Sequence, residues 1–136
     1  MKLLRLVRTV CLVSVACFAA SAALAADDAA AADAAAVQRG KVKFQRTCSP
    51  CHGSGPGDDG RPMLPGTTAL QLKYKGTVPA VLEARGDLNA AVLKGFVRSG
   101  SWSMPPFRKT ELSDAEIGEI AAYLATSAKS GATTSR

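Results

Sequence analysis

Histidine is almost missing from this chain: His52 is the only one in 136 residues, and aromatic residues make up just 5%. Any site needing two histidines is therefore excluded. No Gly-rich phosphate loop occurs, which argues against nucleotide chemistry. No alternating apolar run reads as a β-strand, so a sheet-based fold is not expected. The uncharged stretch Thr9–Leu24 is rich in Ala and Ser. It falls short of the roughly 20 apolar residues that span a bilayer.

That stretch has another reading. Lys2, Arg5 and Arg8 precede it, and Ala23-Leu24-Ala25 follows with the small-x-small pattern of a signal-peptidase site. Residues 1–25 thus read as a signal peptide; the alternative is an uncleaved anchor. Cleavage implies an exported, periplasmic protein with no membrane contact afterwards. It also removes Cys11 and Cys17, leaving only Cys48 and Cys51, too few for a disulfide scaffold. Three of the 17 basic residues leave with the segment, so the formal charge falls from +6 to +3. A dense basic stripe for nucleic acid is then lacking, and no nucleic-acid partner is expected.

Residues 26–36, an Ala/Asp stretch, read as a flexible leader, and 127–136 as a flexible tail. Between them, 37–126 carries helical patterning throughout and forms one small all-α domain. A first helix is expected from about Ala35 to Thr47, with Val37, Gly40, Phe44 and Cys48 on one face. Gly40 disfavours a helix interior by about 1 kcal/mol relative to Ala, so a close helix crossing is its expected reason. Gly53–Gly66 reads as loop, with short helices at Ala69–Lys75 and Pro79–Ala84. Asp87 reads as the N-cap of Leu88–Val97, whose Leu88, Ala91, Val92 and Phe96 share helical spacing. After an irregular stretch, Ser113-Asp114-Ala115-Glu116 is a capping box opening a last helix to about Thr126.

Cys48-Ser49-Pro50-Cys51-His52 is C-x-x-C-H, the attachment signature for c-type haem. Cysteines three apart on one turn can reach both vinyl groups of a porphyrin, and the adjacent His then lies under the iron. Two other chemistries compete. A thiol–disulfide oxidoreductase using Cys48 and Cys51 would normally place the pair at a helix start in an α/β fold. A zinc site wants four ligands, and the processed chain offers two Cys and one His. One covalent haem c is the expected cofactor. Its sixth iron ligand is Met63, Met104 or none. Met63 follows His52 by 11 residues and Met104 by 52. A chain that must wrap the haem edge to reach the opposite face favours Met104, giving the Met/His pair of cytochromes c. Met63 then packs on the macrocycle; an open, gas-binding iron is the alternative.

From Val37 to Ala125, the order helix, CxxCH, Pro-containing loop, helix, Met-Pro, helix resembles class I cytochromes c. The resemblance implies helices wrapped around one haem, with Gly40 and Phe44 packed on Tyr123 and Leu124. It also implies that the Pro62 carbonyl accepts a hydrogen bond from the ligand histidine, Pro65 being a second candidate. Two longer stretches, Pro65–Gly76 and Met104–Glu116, are similar to the cytochrome subunit of p-cresol methylhydroxylase and related flavocytochromes. In that group a flavoprotein subunit oxidises a 4-alkylphenol and the cytochrome takes the electrons singly. Trp102-Ser103, just before the Met, departs from the smaller residues expected there.

The expected role is thus electron transfer, not catalysis. Cys48, Cys51, His52 and Met104 would bind haem, the last two on iron, with a flavoprotein dehydrogenase upstream and another redox protein downstream. A free-standing shuttle to a terminal oxidase or peroxidase is the alternative. Tyr74, flanked by Lys73 and Lys75, could face the propionates. Arg108 and Lys109 would give a positive rim beside the Met loop, or a solvated charge pair.

Overall fold

The computed structural model describes residues 31 and 33–134. They fall in two units, Met1–Ala35 and Ala36–Arg136. Of the first, only the helical residues 31 and 33–35 are described, so the signal segment and most of the leader lie outside the described residues. No strand occurs among the described residues, and none of their helices is long and apolar enough to cross a membrane.

Helix α1 occupies 33–47, and a single turn, α2, follows at Ser49–His52. Pro50 in the first turn of α2 has no N–H to donate, which accounts for the interruption at Cys48. Helix α3 spans Pro65–Tyr74, a 3-10 turn Leu82–Ala84, α4 Ala90–Ser99 and α5 Asp114–Thr134. Helix α3 begins inside the stretch expected to be loop, because Pro65 suits the first helical turn, where a missing N–H costs nothing. Helix α5 runs past the expected end near Thr126. Its opening is the anticipated capping box: Glu116 N donates to Ser113 Oγ at 3.2 Å, and Ser113 N to Glu116 Oε2 at 2.7 Å.

Two expectations fail at α4. Its N-cap is Asn89, whose Oδ1 accepts from Val92 N at 3.0 Å. Asp87 is instead gripped by the Arg85 fork, with Nε donating at 2.9 Å and Nη2 at 2.5 Å. Beginning the helix at Ala90 turns Leu93 and Val97 into the core with Leu88, while Ala91, Val92 and Phe96 stay exposed.

The core joins Phe44, Leu88, Leu93, Val97 and Leu112 to Ile117, Ile120 and Leu124 of α5. Gly40 brings α1 onto α5: a Cβ there would stand 1.9 Å from Glu119 O and 2.9 Å from Ile120 N. One turn on, the Phe44 and Tyr123 rings tilt together at 5.5 Å, as expected. Arg39–Glu119 at 2.7 Å and Lys43–Glu116 close the crossing outside. The Tyr123 hydroxyl donates to Glu83, tying α5 to the 3-10 turn. Burial, with Glu83 beside it, pushes that phenol up to about 12.

Candidate functional site

The C-x-x-C-H segment is one helical turn fastened to the end of α1. Cys48 N donates to Phe44 O at 2.8 Å, and His52 N to Cys48 O at 2.8 Å. The two cysteines differ in surroundings: Cys51 is exposed, whereas Cys48 packs against the core. With Phe44, Leu93, Ile117 and Leu124, Cys48 lines an apolar cavity of about 20 Å³. Burial pushes its thiol up, outweighing the opposing effect of its hydrogen bond with Thr47. A redox dithiol needs the reverse, a stabilised thiolate. The environment of Cys48 is that of a buried sulfur, unsuited to nucleophilic exchange.

His52 is half-buried, and desolvation lowers its pKa, which favours the neutral imidazole that metals bind. Helix α3 seats itself on the ring through Gly66. A Cβ at Gly66 would lie 2.6 Å from His52 Cε1 and 2.8 Å from both His52 Nδ1 and Cys51 O. The buried hydroxyl of Thr67 donates to Gly53 O at 2.9 Å, locking α3 onto the end of α2. Nδ1 is buried and has no hydrogen-bond partner, which leaves Nε2 as the ring nitrogen that a metal would use. The bond expected from this ring to Pro62 is absent. Pro62 is exposed, because a turn with Gly57 N donating to Arg61 O at 2.9 Å carries its segment outward.

Met104 is half-buried against the same apolar cluster as Cys48. It closes a four-residue turn in which Ser101 N donates to Met104 O at 3.0 Å and Met104 N to Ser101 O at 2.9 Å. Trp102 occupies the tip, fully exposed and at φ 54°. Core packing is thereby excluded for it. Met63 is also half-buried, and its carbonyl accepts from Thr68 Oγ1 at 3.2 Å.

Two arginines escaped sequence reasoning. Arg85 is 93% buried, paired with Asp87 and stacked with its Cζ 5.0 Å from the Tyr74 ring centre. Tyr74 is thus engaged by Arg85, with Lys73 Nζ 5.3 Å from the same ring. The only local signal was an Arg-x-Asp spacing. Arg98 reaches from α4 into the Met104 segment, and nothing in the sequence marks it. The positive rim is mostly compensated: Arg108 pairs with Glu111 at 3.2 Å, and Lys109 approaches Asp114 at 3.9 Å.

Among the described residues no group of three His, Cys, Asp or Glu side chains could hold a metal by itself. A metal brought in its own macrocycle suits the residues better. Two thiols and an imidazole share one turn, the buried ring nitrogen is Nδ1, and Gly66 lies close against the imidazole. The helical fold and this turn define a c-type cytochrome. The chain belongs to the family described as cytochrome C oxidase, cbb3-type, subunit III, which matches residues 35–124. Neither the curated proteins nor the solved structures compared with the chain gave a match. Membership makes this an electron-transfer protein carrying covalently bound haem c, and not an enzyme in itself. The haem supplies the one-electron chemistry; the chain supplies its attachment, its ligands and its surroundings.

Proposed function

We propose that this chain is an exported, periplasmic single-haem carrier that accepts electrons one at a time from a flavoprotein dehydrogenase oxidising 4-alkylphenols. Cys48 and Cys51 would hold the haem, and His52 and Met104 would bind its iron. The observation that carries the reading is the clamped turn: Cys48 against the core, Cys51 outward and His52 fixed by Gly66 with Nδ1 enclosed. Val92 and Phe96 support it as apolar α4 surface left 38% and 43% exposed, which a macrocycle would take out of water. A methionine ligand paired with histidine would raise the potential, which suits an electron acceptor.

The flavoprotein partner rests on the two stretches that resemble flavocytochrome subunits. Pro65–Gly76 builds the helix seated on His52, and Met104–Glu116 builds the segment from the Met turn to the α5 capping box. The test is expression with export, followed by haem staining of a denaturing gel and flavin analysis of the native pool. Stain that disappears in a Cys48→Ser/Cys51→Ser variant, with a flavoprotein co-purifying, is the expected result. Stain without any flavoprotein would turn the reading towards a free shuttle. Free thiols and no stain would end it.

A further inference from the structure

The path from α4 to α5 is irregular but tightly tied. Gly100 ends α4 at φ 68°, and a Cβ there would lie 2.8 Å from Met104 O and 3.0 Å from Pro106 N. The chain therefore doubles back onto the helix end, where Phe107 N donates to Val97 O at 2.8 Å. The outgoing arm is held by one side chain. Arg98 Nη1 donates to Phe107 O at 2.9 Å, while Nη2 donates to Leu112 O at 2.7 Å and to Asp114 Oδ1 at 2.6 Å. Its side chain is 20% exposed, and Nε is buried without a partner.

From this geometry we infer that Arg98 is the positioning residue for Met104, holding the 101–112 segment in its ligating shape whether or not iron is bound. The inference rests on Met104 being the sixth ligand. A thioether is a neutral ligand on a flexible stem, so its hold on iron depends on how much of its loop must be ordered when it binds. The planar guanidinium satisfies two carbonyls five residues apart and a carboxylate together; an ammonium on a flexible stem lacks that fixed fork. Gly100 sets the near arm of the loop and Arg98 the far arm, so Met104 is presented from a closed frame.

An added ligand reads the frame directly. Imidazole titrated into the ferric holoprotein competes with Met104, and its apparent affinity rises with the fraction of molecules whose loop is open. Arg98→Ala should tighten imidazole binding about tenfold or more and weaken the far-red ferric band of methionine–iron ligation. Arg98→Lys, which retains the charge opposite Asp114, should lie between Arg98→Ala and wild type, and it carries the test if the alanine variant does not mature. Asn89→Ala, at the other end of α4, controls for lost stability and should leave imidazole binding unchanged. Imidazole affinity within about twofold of wild type in the Arg98 variants, or an equal rise in Asn89→Ala, would overturn the role of Arg98. If the wild-type band survives Met104→Ala, the ligand assignment fails, and this inference fails with it. A band abolished by Met104→Ala but unmoved by either Arg98 substitution overturns the inference alone.

Discussion

Substituting Gly40 by Ala tests the α1–α5 crossing against a known gain. In a helix interior the change by itself stabilises by about 1 kcal/mol. Here the new Cβ would meet backbone, at 1.9 Å from Glu119 O and 2.4 Å from Glu119 C. Backbone atoms inside a helix cannot rotate aside. An ordinary C···O approach is about 3.3 Å, so the two helices must part by roughly 1.4 Å. Parting them loosens the Phe44–Tyr123 ring pair at 5.5 Å and the fully buried Phe44. Such a pair contributes about 0.5–1.5 kcal/mol beyond its buried area. Overpacking adds about 1–3 kcal/mol or more. Set against the helical gain, the net loss is about 0.5–3.5 kcal/mol. For a domain of this size each kcal/mol moves Tm by about 4–8 °C, so a fall between about 2 and 28 °C is expected. Thermal unfolding of the holoprotein followed by far-UV circular dichroism measures it. An unchanged or higher Tm would refute the close crossing.

Three further substitutions or conditions probe other joints. Gly66→Ala drives a Cβ to 2.6 Å from His52 Cε1 and should cut the yield of haem-stained protein severalfold; a normal yield would show that α3 does not confine the ring. Asn89→Ala should cost about 1 kcal/mol in denaturant unfolding while Asn89→Asp costs little, since either Asx oxygen can take the Val92 amide. On acidification, Lys94 and then Arg98 hold the Asp114 carboxyl down at about 2, and Lys43 with Ser113 does the same for Glu116. Carboxylates depressed in the folded state contribute stability that is present above their unfolded values and lost as pH falls through the folded ones. A pH-dependent loss of stability between about pH 4.5 and 2 is therefore expected, shallower in Asp114→Asn, and a wild-type profile in that variant would contradict the pairing.

The features legible in the sequence were those whose partners lie within a turn or whose chemistry has a fixed spacing. The capping box at Ser113 and Glu116 is a three-residue relation, and C-x-x-C-H is a one-turn relation. Gly40 was readable because a glycine in an otherwise good helix needs a neighbour to justify it. Choosing between Asp87 and Asn89 as the α4 cap was not local. The Arg85 fork takes Asp87, and burial of Leu88 sets the phase that puts Leu93 and Val97 inside. Val92 and Phe96 fitted helical spacing equally well, since a broad apolar stripe does not say which edge meets protein. Arg85 and Arg98 stayed hidden for a similar reason. Arg98 acts on the carbonyls of Phe107 and Leu112, and a carbonyl has no residue-type signature. The small residues after Thr126 are compatible with both helix and tail, which hides the continuation of α5 to Thr134.

In the proposed site, His52 and Met104 ligate one iron, and α2, α3 and the turn after α4 supply the frame. The far-red ferric charge-transfer band of the purified holoprotein tests it most directly, measured in wild type, Met104→Ala and Met63→Ala. The expected result is a band in the wild-type protein that persists in Met63→Ala and is gone in Met104→Ala. A band that survives in Met104→Ala and vanishes in Met63→Ala would contradict it.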